Sequence, residues 1–188
     1  MTELRIALEE VRTPEQVEQL RQMFFVEDVE QNLDVKDSPK DRPGKFAGKL
    51  AIGEYQAHLW RLKATGEVVG MFFLYCSRLK SQGIVEVDAA VPDAKHRRQG
   101  YPKDAMVALF DHWLLEERAQ ALWAWIDERN EPSIRMLQAL SVPLVARDVP
   151  RVTVKGERIQ TAEARITKAD WIEIRKRLPF AWPAGHAP

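Results

Sequence analysis

Lys95-His96-Arg97-Arg98-Gln99-Gly100-Tyr101-Pro102-Lys103-Asp104-Ala105 decides the reading of this chain. A short apolar run precedes it, an amphipathic helical pattern follows it, and one glycine marks the turn between them. In that order, backbone N–H groups and the positive end of a helix converge on one point. Cationic side chains beside that point strengthen its hold on an anion. The natural guest is a phosphorylated ligand.

Upstream, Ile84 to Val91 reads as the strand that feeds the loop, and Ala57 to Lys63 with Val68 to Cys76 reads as a hairpin around Ala64-Thr65-Gly66-Glu67. Leu4, Ile6 and Leu8 alternate with polar neighbours, which predicts a first strand. Thr13-Pro14-Glu15-Gln16 carries an N-cap threonine, a proline at the first helical position and a glutamine placed for a capping box. Residues 30 to 48 have no clean period and read as a long loop with a short helix in it. Downstream, Met106, Leu109, Phe110, Trp113 and Leu114 share one helical face. Leu122-Trp123-Ala124-Trp125-Ile126 is nearly continuous apolar sequence, as in a strand covered on both sides. Strand, loop, helix and strand in this order predict a parallel crossover. Asn130-Glu131-Pro132-Ser133 opens a further helix with Asn130 as N-cap. Val142 to Val154 and Arg158 to Ile166 have strand character around the tip Lys155-Gly156-Glu157, and Thr167-Lys168-Ala169-Asp170 opens a last helix.

Composition bounds the rest. The chain has 188 residues, 45% hydrophobic and 30% charged, with a formal net charge of zero. It is long enough for one domain with a sizeable core. Its summed charge gives no case for nucleic acid or a membrane surface. The single cysteine, Cys76, lies in an apolar run and reads as a buried, inert thiol. No run approaches a membrane span and the start lacks a signal-peptide pattern, so a cytoplasmic protein is expected. The four histidines show no metal-ligand spacing. Of the six tryptophans, Trp113, Trp123 and Trp125 read as core, and Trp60, Trp171 and Trp182 as core or satellite packing.

The order of elements resembles that of the GNAT superfamily of N-acetyltransferases over roughly residues 4 to 166, most specifically from Val68 to Leu140. Two motifs carry the likeness. Arg97-Arg98-Gln99-Gly100-Tyr101-Pro102 matches the family's Arg/Gln-x-x-Gly-x-Gly/Ala loop, and Asn130-Glu131-Pro132-Ser133 matches an Asn-x-x-Ser helix opening after the next strand. Asn130 to Leu137 also looks like the ribosomal-protein and amino-terminal acetyltransferase branch. The loop departs from the pattern at Pro102, which removes a backbone donor, and at Arg98, which stands where many members have glycine.

The resemblance implies an α/β (α+β) fold: a mixed, mostly antiparallel central sheet with a parallel splayed pair and helices on both faces. It implies one acyltransferase domain over residues 1–178, followed by a poorly ordered Pro/Ala-rich tail at 179–188. Acetyl-CoA is the implied acyl donor and no metal is required. Its binding residues would be Ala89, Ala90, Val91, Arg97, Arg98, Gln99, Gly100, Tyr101, Lys103, Asn130 and Ser133. The acceptor would be a small-molecule or protein amine, with a homodimer open as assembly.

Glu86 and Asp88 lie two apart on the central strand and so share a face. In the family that face lines the substrate cleft, where a carboxylate serves as general base; Glu86 is the first choice. The plain alternative is a polar strand face paired with arginines or covered by the loop at 30 to 48. Many family members place a tyrosine acid seven residues after the asparagine; here that position is Leu137, leaving Ser133 or water as proton donor. The acidic loop from Asp34 to Lys49 would border the acceptor cleft. Two rival readings remain: a CoA-binding module of the same fold without turnover, and transfer of another acyl group or to a tRNA-borne amine.

Overall fold

Alternation builds the sheet, and its two faces receive different side chains. In this computed structural model residues 2–26, 29, 42–116, 118–153 and 155–186 are described. The chain runs β1 (Ile6–Glu10), α1 (Pro14–Met23), α2 (Pro43–Ala51), β2 (Tyr55–Leu62), β3 (Val68–Tyr75), α3 (Leu79–Gln82), β4 (Ile84–Ala90) and a 3-10 turn (Ala94–His96). It continues through α4 (Tyr101–Phe110), a π turn (Asp111–Leu115), β5 (Ala121–Asp127), α5 (Glu131–Ala139), β6 (Leu144–Ala146), β7 (Arg151–Val152), β8 (Arg158–Ile159), β9 (Thr161–Thr167) and α6 (Lys168–Arg175). A seven-stranded sheet has the order β1-β2-β3-β4-β5-β9-β6, and β7 and β8 form a separate hairpin. Every neighbouring pair is antiparallel except β4 with β5.

One face is closed by α4, its π turn, α5 and α6. Trp60, Phe72, Leu74, Val85, Leu122 and Ile166 from the strands meet Leu109, Trp113, Leu137 and Trp171 from the helices there. The opposite face packs Tyr55, Leu59, Met71 and Phe73 against Leu20 and Phe24 at α1 and Phe46 of α2. The local signals explain the helix starts. The Thr13 and Gln16 capping box is formed at α1, and an equivalent box joins Thr167 and Asp170 at α6. In the β2–β3 hairpin Gly70 stands opposite Trp60, and a Cβ there would lie 2.3 Å from the indole Cε3. That close approach is why the position takes glycine.

Three expectations are corrected. The short helix expected inside the loop at 30 to 48 runs from Pro43 beyond that stretch to Ala51, with Phe46 fully buried; residues 30–41 lie outside the described ones. The strand around Trp123 is covered by apolar core on one side only: Leu122 and Ile126 are buried, while Trp123 and Trp125 are partly exposed on the other face. The tail expected to be poorly ordered is docked at its start. Thr2 N–H donates to Pro179 O at 2.8 Å, Ala181 N–H donates to Thr2 O at 3.0 Å, and Phe180 is buried. Arg175, fully buried, anchors it by donating to Phe180 O at 2.9 Å, and its guanidinium faces the Trp182 ring at 5.1 Å.

Candidate active site

The parallel pair opens halfway along its length. β4 and β5 are in register only at Ile84–Ala121, Val85–Leu122 and Glu86–Trp123. Beyond that point β4 stays paired with β3 as far as Ala90, and β5 with β9 as far as Asp127. The two strands therefore diverge in the middle of the sheet, leaving the backbone donors and acceptors of alternate residues within 87–90 and 124–127 turned toward a gap. Such groups require a partner, and a ligand or water must supply it. β4 leads into the basic loop and α4, and β5 leads into α5, so both helix N-termini stand at the carboxyl end of the parallel pair. Ligands of α/β sheets bind at that end.

The loop after β4 is shaped by its own side chains. Asp93 Oδ1 accepts from Lys95 N–H at 2.9 Å. Lys95 and His96 both reach Glu67 (2.9 and 3.1 Å), and Lys95 holds the Glu67 carboxyl below its usual range. Arg97 folds back and donates from Nε to Val91 O (3.1 Å) and from Nη2 to Pro92 O (3.0 Å). Its guanidinium braces the loop through these two carbonyls. Arg98 takes φ 61°, the strained conformation that its sequence position predicts, and Gly100 takes φ 78° as N-cap of α4.

The first hydrogen bond of α4 runs from Asp104 N–H to Gly100 O at 3.3 Å. The N–H groups of Tyr101 and Lys103 precede it and belong to the open turn, where Pro102 contributes none. Arg98 is exposed and Lys103 half-buried, and neither makes an ion pair with a described residue. Ala89 is exposed along the gap, with Ala90 and Val91 half-buried. At α5, Asn130 Oδ1 accepts from Ser133 N–H at 3.3 Å, and both residues are half-buried.

Sequence reading missed Arg5. It donates from Nε to the buried carboxylate of Asp104 at 2.7 Å and from Nη1 to Gln99 O at 3.0 Å, and it lies 4.9 Å from the Tyr101 ring centroid. A distant residue just before β1 thus fixes the turn. The only hint in the sequence was Asp104, an acid in the apolar half of a helix.

The other side of the seam carries acid and aromatic groups. Register puts Tyr75 opposite Glu86, Phe73 opposite Asp88, and Trp123 beside Glu86, so these side chains share one face. Tyr75 Oη donates to Asp88 Oδ2 at 3.0 Å. Burial, then the Asp88 carboxylate, pushes the Tyr75 phenol far above its usual range, so it is a fixed donor. Arg151 Nη2 of the β7–β8 hairpin stands 3.6 Å from Glu86 Oε1. Glu86 retains 21% side-chain exposure, enough to meet a ligand. The structure thus brings Glu86 and Asp88 onto one face at the mouth of the seam, and Asn130 and Ser133 to its carboxyl end.

A family model described as Acetyltransferase (GNAT) domain matches residues 5–141. The chain belongs to the GNAT acetyltransferase family. Its fold is similar to that of spermidine N-acetyltransferase from Vibrio cholerae in complex with CoA and spermine, at TM-score 0.75 and 7% identity over 89% of this chain and 98% of that one. A GCN5-related N-acetyltransferase from Brucella melitensis is similar at TM-score 0.69 and 18% identity, covering 92% and 80% of the two chains. No curated protein matches the chain in sequence. The narrower likeness to the ribosomal-protein and amino-terminal branch finds no support in these matches. Among the described residues no helix is long and apolar enough to cross a membrane, and no group of three or more His, Cys, Asp or Glu is arranged to hold a metal ion.

Proposed function

We propose that this chain is an acetyl-CoA-dependent N-acetyltransferase that passes an acetyl group directly to a primary amine. The observation that carries the reading is the seam that opens after Glu86 and Trp123, with two helix N-termini at its open end. Residues 1–178 act as one acyltransferase domain. Acetyl-CoA, when bound, supplies an activated thioester; everything else falls to the chain. The gap-facing edge of β4 at Ala89, Ala90 and Val91 aligns the donor, and a backbone N–H there polarises the carbonyl under attack. Gln99, Gly100, Tyr101 and Lys103 offer N–H groups to the diphosphate, with the Arg98 and Lys103 side chains adding charge. Arg97 holds the loop in shape. Asn130 and Ser133 line the opposite strand end, where the Ser133 hydroxyl or water returns a proton to the thiolate.

On the acceptor side, Glu86 takes the proton from the substrate ammonium, directly or through water. Asp88, fixed by Tyr75, adds a second negative charge that draws the amine in. Turnover is tested by thiol release from acetyl-CoA against a panel of amines, beside titration calorimetry for binding. Glu86→Gln is expected to lower turnover by about 10²-fold or more while acetyl-CoA binding persists. Full turnover in both Glu86→Gln and Asp88→Asn would move the base elsewhere.

The folding back of Arg97 and the donor lost at Pro102 favour a second reading, a CoA-binding module without turnover. Binding of acetyl-CoA with no amine-dependent thiol release would support it.

A further inference from the structure

The face that carries Glu86 also carries arginines, and each is braced on a tryptophan. Trp123 and Trp125 lie side by side on β5 with ring centroids 4.9 Å apart. The Arg78 guanidinium sits 4.7 Å from the Trp123 ring centroid. Those of Arg147 and Arg151 sit 5.6 and 5.7 Å from the Trp125 ring centroid. Arg147 also pairs with Glu163, the residue opposite Trp125 on β9. Guanidiniums held against indoles lose little freedom when they bind a carboxylate or phosphate. A face meant for a polycation would gain nothing from three such groups, since each repels an ammonium.

We infer that the acceptor is a compact amine that also bears a carboxylate or a phosphate, a few bonds from its nitrogen. The inference rests on the acetyl-transfer reading above and names the substrate class for the same site. Its geometry comes from the pair Arg151 and Glu86. Their charged groups stand 3.6 Å apart, so one small molecule can place its ammonium on Glu86 and its anion on Arg151. In doing so it exchanges an internal ion pair for two external ones, and Glu86 is handed from the guanidinium to the nitrogen it must deprotonate. Arg78 and Arg147 frame the same face from either end of the tryptophan pair and leave no open acidic track for a long polyamine among the described residues.

The test compares kcat/KM for glycine, glycinamide, aminoethyl phosphate, a neutral tripeptide amide and spermidine. Glycine or aminoethyl phosphate is expected to exceed glycinamide and spermidine by about 10-fold or more, and whichever of the two is faster identifies the anion. In Arg151→Gln, the preference for glycine over glycinamide is expected to fall by about 10- to 100-fold, through KM. Arg151→Lys, which keeps the charge without the planar fork, should restore only part of it. An unchanged acetyl-CoA Kd shows that both variants are folded. Acetylation of spermidine, glycinamide or the tripeptide amide as fast as the two anionic amines would overturn this inference while leaving acetyl transfer intact. Failure to bind acetyl-CoA, or to acetylate any amine, would instead overturn the acetyl-transfer reading and this inference with it.

Discussion

The two faces of the sheet treat polar groups in opposite ways. On the α4 and α6 face, polar side chains are sunk, and the charged pair among them is tied. Asp111 accepts from Trp171 Nε1 at 2.9 Å and from Arg175 Nε at 3.1 Å, and Arg175 is wholly buried. On the α1 and α2 face, the acids and arginines gather where the apolar cover stops, at Glu86, Asp88, Arg147 and Arg151, each half-exposed or more open. One strand supplies both patterns, because successive residues of β4 point in opposite directions: Val85 and Val87 are buried and Glu86 and Asp88 are not. The same lattice therefore sets stability on one side and chemistry on the other. Variants of Arg175 and His58 should change stability without touching turnover, and variants of the open groups should do the reverse.

The largest effect is expected at Arg175. Burial pushes the Asp111 carboxyl above its usual range, although Arg175 and Trp171 pull it down. Removing the guanidinium leaves an uncompensated buried carboxylate and frees the docked tail at Phe180. Arg175→Ala is expected to destabilise the fold by about 3–5 kcal/mol, read by urea denaturation, with turnover per folded molecule unchanged. A loss under about 1 kcal/mol would show that the network is replaceable packing.

The second effect depends on pH and lies on the same face. His58 is 2% exposed, and both of its ring nitrogens lack a partner among the described residues. Burial, with His112 adding repulsion, lowers its pKa from 6.5 to about 4. The neutral ring is therefore the folded form. This contribution to stability is complete above pH 6.5 and is lost as pH falls from 6.5 through about 4. Over that window roughly 3 kcal/mol is forfeited. Replacing the ring with His58→Leu should flatten stability against pH between 6.5 and 4. An unchanged slope would mean that the ring takes up its proton without opening the fold.

How far the sequence disclosed this arrangement differs between the faces too. Repeating local signals are self-contained, so the capping box at Thr13, the stripe from Met106 to Leu114 and the hairpin at Gly66 are legible from adjacent residues alone. The basic loop is legible in position but not in role. Nothing near Arg97 reveals that it donates to Val91 O and Pro92 O, because that depends on the loop's curvature. Arg5 to Asp104 and Arg151 to Glu86 join residues far apart in the chain, and composition offers no means of pairing them. Trp123 and Trp125 mislead for a related reason. Aromatic residues at every second position fit either a core or a platform for arginines, and only the neighbouring strand decides which. Pro43 to Ala51 was obscured by its Pro, Gly and Lys content, yet Phe46 and Leu50 stand four apart on one helical face.

The smallest effect sharpens the comparison from the open face. Tyr75 belongs to β3, and its hydroxyl donates to Asp88. It is a tempting substitute for the tyrosine acid that Leu137 replaces. Its surroundings argue against that role. Burial and the carboxylate beside it push the phenol above its usual range, which makes it a poor proton donor near neutral pH. It acts as a positioning residue for Asp88. Tyr75→Phe removes one hydrogen bond and keeps the ring packed against Tyr55 and Phe73. Loss of about 1 kcal/mol of orientation corresponds to a fall in kcat/KM of about 5-fold, confined to the acceptor. The alkaline limb of the pH–rate profile should be unchanged. A fall beyond about 10²-fold, or an alkaline limb that disappears in Tyr75→Phe, would instead make the phenol the proton donor. In that case the open face would hold both the base and the acid of the reaction, and Ser133 would be left with its cap alone.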